Sequence, residues 1–138
     1  MAVHHPFDDV APGRLRVWFV PFVSVTVVVG AALLLLDPGG EGIVGLEVAG
    51  TVEAASEVMA VWDDRDVIHA AFGVGLDYLF LIAYSTTIAV ACVWGRRVYR
   101  HRWLVTLGGV LAWAAWLGAA CDAVENIALL DMIRGPVA

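Results

Sequence analysis

The run "WLVTLGGVLAWAAWLGAACDAVENIALL" (103–130) decides the fold. No charged residue occurs from Trp103 to Cys121, and then Asp122, Glu125 and Asn126 follow within five positions. A helix needs about 20 mostly apolar residues to cross ~30 Å of hydrocarbon. Two other stretches have the same character: "VWFVPFVSVTVVVGAALLLL" (17–36) and "VIHAAFGVGLDYLFLIAYSTTIAVACVW" (67–94). The whole chain is 61% hydrophobic and 16% charged over 138 residues. A soluble domain would be roughly 45–50% apolar and about 25% charged. The sequence therefore reads as an all-α integral membrane protein with transmembrane helices at 17–36, 67–94 and 103–131. The first apolar run is too long for the 7–15-residue core of a signal peptide. "LLLLDPGG" offers no small-x-small cleavage pattern either, so a retained anchor is expected.

Arginine gives the expected orientation. The chain has no lysine, and its formal net charge is −6. Arg14 and Arg16 lie in the N-terminal tail (1–16), and "RRVYRHR" (96–102) falls in the turn 95–102 between the second and third spans. The segment 37–66 is rich in carboxylates and carries only Arg65. The positive-inside rule then places the N-terminus and the 95–102 turn in the cytoplasm of a bacterial cell. The 37–66 segment and the tail 132–138 fall outside. Trp18, Trp94 and Trp103 mark the inner boundary and Trp62 the outer one. Arg96, Arg97, Arg100 and Arg102 are candidate contacts for anionic lipid headgroups. Nucleic acid is excluded as a partner, because it needs a basic patch.

Within the outer segment, "DPGG" and the later glycines read 37–50 as a turn-rich connection. "TVEAASEVMAVW" (51–62) follows Thr51, a natural N-cap, with Val52, Ala55, Met59 and Trp62 on one face. That pattern predicts a short amphipathic helix at the membrane surface. "DDRD" (63–66) lacks the spacing of a Ca²⁺ loop and reads as an acidic helix junction. Cys92 and Cys121 sit at opposite ends of antiparallel spans, too far apart to bridge.

Polar groups inside the spans are the candidate functional residues. Counted from Trp94, Asp77 is about 25 Å along the second span, and counted from Trp103, Asp122 is about 28 Å along the third. Glu125 and Asn126 follow within a turn, so the four share one level toward the outer face. In the third span Gly108, Ala112, Ala115, Ala119, Asp122 and Asn126 recur every three or four positions. Such small-residue seams let membrane helices approach closely. Gly73, Asp77, Phe80 or Leu81, Tyr84 and Ile88 form a matching stripe, which would bring Asp77 and Asp122 together near Tyr84. Carboxylates at that depth need a shared proton, a cation or a basic partner. His69 is the nearest basic group in the second span.

"GLDYLFLIAYSTTIAVAC" (75–92), followed by "LGAACDAVENIALL" (117–130), resembles a group of small bacterial polytopic membrane proteins without assigned function. In them an L-D-aromatic-L-F…A-Y span precedes a D-x-x-E-N span. The match covers about a quarter of the chain and falls on Asp77, Tyr78, Tyr84, Asp122, Glu125 and Asn126. Similar proteins carry a further span after the D-x-x-E-N helix. Here "DMIRGPVA" (131–138) follows it, so this sequence by itself does not suggest a closed four-helix bundle. The resemblance implies no activity.

Two functional readings follow. In the first, the intramembrane Asp, Glu and Asn are helix–helix or partner contacts. The protein then works in an assembly among membrane lipids, as a homo-oligomer or as an accessory subunit of a larger membrane complex. In the second, they form a carboxylate site for proton or cation movement, or for a small ligand such as a lipid or quinone. No serine-nucleophile motif, HExxH or phosphate-cradling glycine loop occurs, so neither catalysis nor a cofactor is expected. Ser85, Thr86 and Thr87 are expected to bond to their own helix backbone.

Overall fold

The computed structural model describes residues 3–38 and 41–135. After a 3-10 turn at Pro6–Asp9 come α1 (Pro12–Leu36), α2 (Gly42–Val48), α3 (Val52–Met59), α4 (Asp64–Arg96) and α5 (Arg102–Arg134). No strand occurs among the described residues. Helices α1, α4 and α5 are each long and apolar enough to span a membrane, which makes the chain an all-α, multi-pass membrane protein.

All three long helices reach past the apolar runs in the sequence. α1 begins at Pro12, whose ring is accommodated where the first helical N–H groups have no partner anyway. Pro21 lies inside the same helix without ending it. α4 and α5 each have 33 residues, or about 50 Å at 1.5 Å per residue, against ~30 Å of hydrocarbon. The surplus is where the short elements pack. α2 and α3 cover one end, around Leu46, Ala55, Val74 and Leu129. The N-terminal segment covers the other, around Leu15, Val93 and Ala112. We call these the carboxylate end and the arginine end.

α4 is the central helix, with α1 and α5 packed on it. Both neighbours run antiparallel to it in a single register. On the α5 side Tyr84 meets Asp122, Tyr78 donates to the Ala123 carbonyl at 3.2 Å, and Asp77 meets Asn126. On the α1 side the Thr26 and Thr87 hydroxyls lie 3.4 Å apart and Phe19 packs edge-on against Trp94. The seam on α5 is filled by α4 of the same chain. Ala112, Ala119 and Asn126 are buried. A Cβ added to Gly108 would lie 2.8 Å from the Arg96 Cβ and 3.2 Å from the Cys92 carbonyl. The matching stripe on α4 is divided between two neighbours: Phe80 packs on Gly30 of α1, Tyr84 reaches α5, and Ile88 stays 43% exposed. Ser85 and Thr87 donate to the carbonyls of Leu81 and Ala83 at 2.6 and 2.8 Å.

The connection between α1 and α4 is more ordered than its glycines suggest. Residues read as turn contain α2, which starts at Gly42 with φ +62. A side chain there would also collide with the Asp37 carboxylate, whose oxygen accepts the Ile43 N–H at 3.1 Å. Thr51 caps α3 by accepting the Ala54 N–H at 3.2 Å. On α3, Ala55, Val58 and Met59 pack inward, while Val52 is 79% exposed. "DDRD" is the capping box of α4. The Asp63 carboxylate accepts the N–H groups of Arg65 and Asp66, and the Asp66 carboxylate accepts that of Asp63. Carboxylates at a helix N-terminus satisfy orphan donors and complement the dipole. Cys92 and Cys121 are free.

Two of the arginines assigned to lipid headgroups are engaged inside the protein instead. Arg96 is buried, pairs with Asp8, and donates to the Val3 carbonyl at 2.8 Å. Arg97 donates to the carbonyls of Phe7, Asp8 and Val10 at 2.9, 3.0 and 2.8 Å. The Phe7 carbonyl also accepts the Val10 N–H at 3.3 Å, and one guanidinium nitrogen gathers it with the Asp8 and Val10 carbonyls at the end of the 3-10 turn. Arg100 and Arg102 remain exposed.

Candidate carboxylate site

At the carboxylate end, α4 and α5 are joined by two polar contacts, about two turns apart on α4 and one turn apart on α5. The Asn126 side-chain amide donates to Asp77 Oδ2 at 2.7 Å. The Tyr84 hydroxyl donates to Asp122 Oδ2 at 2.7 Å. Asp77 and Asp122 thus face different partners rather than each other. Each carboxylate accepts a hydrogen bond from a neutral donor. Asn126 is 6% exposed, and its contact with Asp77 is partly buried. Interhelical hydrogen bonds of this kind contribute about 0.6 kcal/mol on average and rarely above about 1.7. They fix the register more than they hold the helices together.

Beside the Asp77–Asn126 contact is a cavity of about 230 Å³ between α1, α2, α4 and α5. Most of its lining is apolar: Leu33, Leu34 and Leu36 of α1, Ile43 and Val44 of α2, and Ala70, Gly73 and Val74 of α4. Its polar groups are Asp37, Glu47, His69, Asp77 and Asn126. No arginine lines it. Leu34 is 82% exposed, so the apolar lining continues onto the lipid-facing surface of α1. Partial burial pushes the Glu47 carboxyl above its ordinary value. The negative charges of Glu125, Asp77, Asp122 and Asp37 add to the effect. Five carboxylates, from α2, α4, α5 and the residue that follows α1, therefore influence one small region. Among the described residues, no three His, Cys, Asp or Glu side chains stand close enough together to hold a metal ion.

Of the residues singled out in the sequence, Asp77, Asn126 and His69 come together on the cavity, and Tyr84 and Asp122 meet deeper along the α4–α5 pair. Glu125 is exposed and makes no hydrogen bond to the described residues, although its charge is felt at Glu47. Asp37 and Glu47 were not singled out. In "GIVGLEV" (42–48), Ile43, Leu46 and Glu47 already stand at helical spacing, but Gly42 and Gly45 obscure it. Comparison of the chain with protein-family models, curated proteins and solved structures found no match.

Proposed function

We propose that this is a multi-pass protein of the bacterial inner membrane that binds a small amphiphile with a cationic amine head. The N-terminus is cytoplasmic and the carboxylate end faces outward, as the arginine distribution indicates. The observation that supports the reading is the cavity's lining, which combines three carboxylates with leucines and other apolar side chains. An ammonium group brings several N–H donors and one positive charge. Asp37, Glu47 and Asp77 offer acceptors, and His69 is the one basic side chain beside them. The volume suits a head group and its first few methylenes, since drug-sized ligands fill about 300–1,000 Å³. A longer tail would lie along Leu34 toward lipid.

The test is isothermal titration of the protein in nanodiscs with dodecylammonium and, separately, with dodecanol. The amine binds saturably and the alcohol does not. Asp77→Asn keeps the shape and an acceptor for Asn126 but removes the charge. It weakens amine binding about tenfold to a hundredfold, the range of a charge-assisted hydrogen bond of about 1.5–3 kcal/mol. Because the Glu47 carboxyl lies above the ordinary carboxylate value, it takes up a proton early on acidification. Amine affinity is therefore full well above that raised value and falls as pH drops through it. Equal binding of amine and alcohol, or an unchanged Asp77→Asn variant, would rule the reading out.

A second reading is favoured by Glu125, an exposed carboxylate on α5 beside Cys121 and Val124. That face suits a contact with a second copy or another membrane subunit. Native mass spectrometry of gently extracted protein reads its stoichiometry directly.

A further inference from the structure

The N-terminal segment at the arginine end is tied down by side chains from both α4 and α5. Arg96 and Arg97 hold it from α4, and the Trp113 indole N–H donates to the His4 carbonyl at 2.9 Å from α5. At its centre is His5, with no exposed surface. Its Nδ1 accepts the Phe7 N–H at 3.3 Å, which requires that nitrogen to be unprotonated. The imidazole proton is then on Nε2, which is buried and has no hydrogen-bond partner among the described residues. Around it stand the rings of Trp116 at 4.6 Å, Trp113 at 5.1 Å and Phe7 at 5.4 Å. A neutral imidazole fits this aromatic nest. A second proton would have to enter Nδ1, displace the Phe7 N–H and bring a buried positive charge.

We infer that His5 makes residues 3–10 an acid-released latch, docked while the imidazole is neutral and undocked when it is protonated. Release withdraws Asp8 from Arg96 and the carbonyls of Phe7, Asp8 and Val10 from Arg97. Both guanidiniums are then free for anionic lipid headgroups at that surface, alongside Arg100 and Arg102. Among the described residues, the charged groups facing His5 are Asp8 and His4 from its own segment and Arg96 from α4. α5 presents the Trp113 and Trp116 indoles to it.

The electrostatics agree in direction. Burial, opposed by Asp8 and aided by Arg96 and His4, holds the docked imidazole below the ordinary histidine value. The undocked segment therefore binds more protons as pH falls below that value, and docking weakens. Burial works against ionisation of Asp8 too, but the His5 N–H and the Arg96 guanidinium hold its carboxyl below the ordinary value. Its contribution is lost only at lower pH, as the carboxylate protonates.

The experiment is amide hydrogen exchange of residues 3–10 in nanodiscs from pH 7.5 to 5, corrected for intrinsic rates. Wild-type protection falls with acidification by up to about tenfold per pH unit, the slope for uptake of one proton. His5→Asn keeps a capping acceptor but cannot titrate, so its protection stays flat, while His4→Gln behaves as wild type. Flat wild-type protection, or an acid transition retained in His5→Asn, would overturn the proposal. If His5→Asn is unprotected at every pH, NMR titration of the wild-type His5 ring decides. A midpoint coinciding with loss of protection supports the latch, and separate midpoints refute it.

Discussion

Arg96→Met releases the N-terminal segment from the helices at neutral pH. Arg96 is 8% exposed and its partner Asp8 is 18% exposed, so the pair is largely shielded from water. Removing one member of a buried ion pair costs about 3–5 kcal/mol, because the other charge is left uncompensated. Asp8 lies on a short segment that can undock and become solvated, which holds the effect near the lower figure. The Val3 carbonyl loses its donor in the same variant. The expected result is at least about a hundredfold loss of hydrogen-exchange protection over residues 3–10, corresponding to about 3 kcal/mol. Exchange in the middle of α4 and α5 stays slow, because those helices pack on each other without Arg96. A variant with wild-type protection would show that the ion pair does not hold the segment.

Gly108→Leu forces α4 and α5 apart. The Cβ position lies within 2.8 Å of the Arg96 Cβ and 3.2 Å of a backbone oxygen, and neither is the free end of a flexible chain. Overpacking of this kind costs about 1–3 kcal/mol, and the rigid neighbours place it near the top of that range. The damage spreads along the register, because Ala112 and Ala119 depend on the same close approach. Denaturation in mixed micelles, followed by circular dichroism, reads the loss. Gly108→Ala gives a smaller loss of the same sign. A difference below about 0.5 kcal/mol for the leucine variant would contradict the α4–α5 packing.

How much of this was legible in the sequence depended on the physics behind each feature. The three spans were plain because hydrocarbon thickness imposes one length on apolar runs. The α5 seam was also plain, since small residues at spacings of three and four line one helix face and admit a close neighbour. The sequence could not say which helix fills the seam, and the answer is α4 of the same chain. The level shared by Asp77, Asp122 and Asn126 followed from rise per residue alone, whereas the pairing depended on packing. Asp77 takes Asn126 and Asp122 takes Tyr84 because α4 and α5 meet in a staggered register. α2 stayed hidden behind its two glycines, and with it the contribution of Glu47 to the site. Charge patterning gave Arg96 and Arg97 an expected side of the membrane but not their partners. Those are mostly backbone carbonyls, which leave no trace in composition.

The amine site is tested most directly by photolabelling. A dodecylammonium carrying a diazirine on its alkyl chain is bound to the protein in nanodiscs and irradiated, and the adducts are mapped by mass spectrometry. The predicted adducts fall on Leu33–Leu36 and on Ile43 and Val44, suppressed by unlabelled amine but not by dodecanol. Adducts spread evenly over the lipid-facing surfaces of α1 and α5, and indifferent to amine competition, would contradict an amine site.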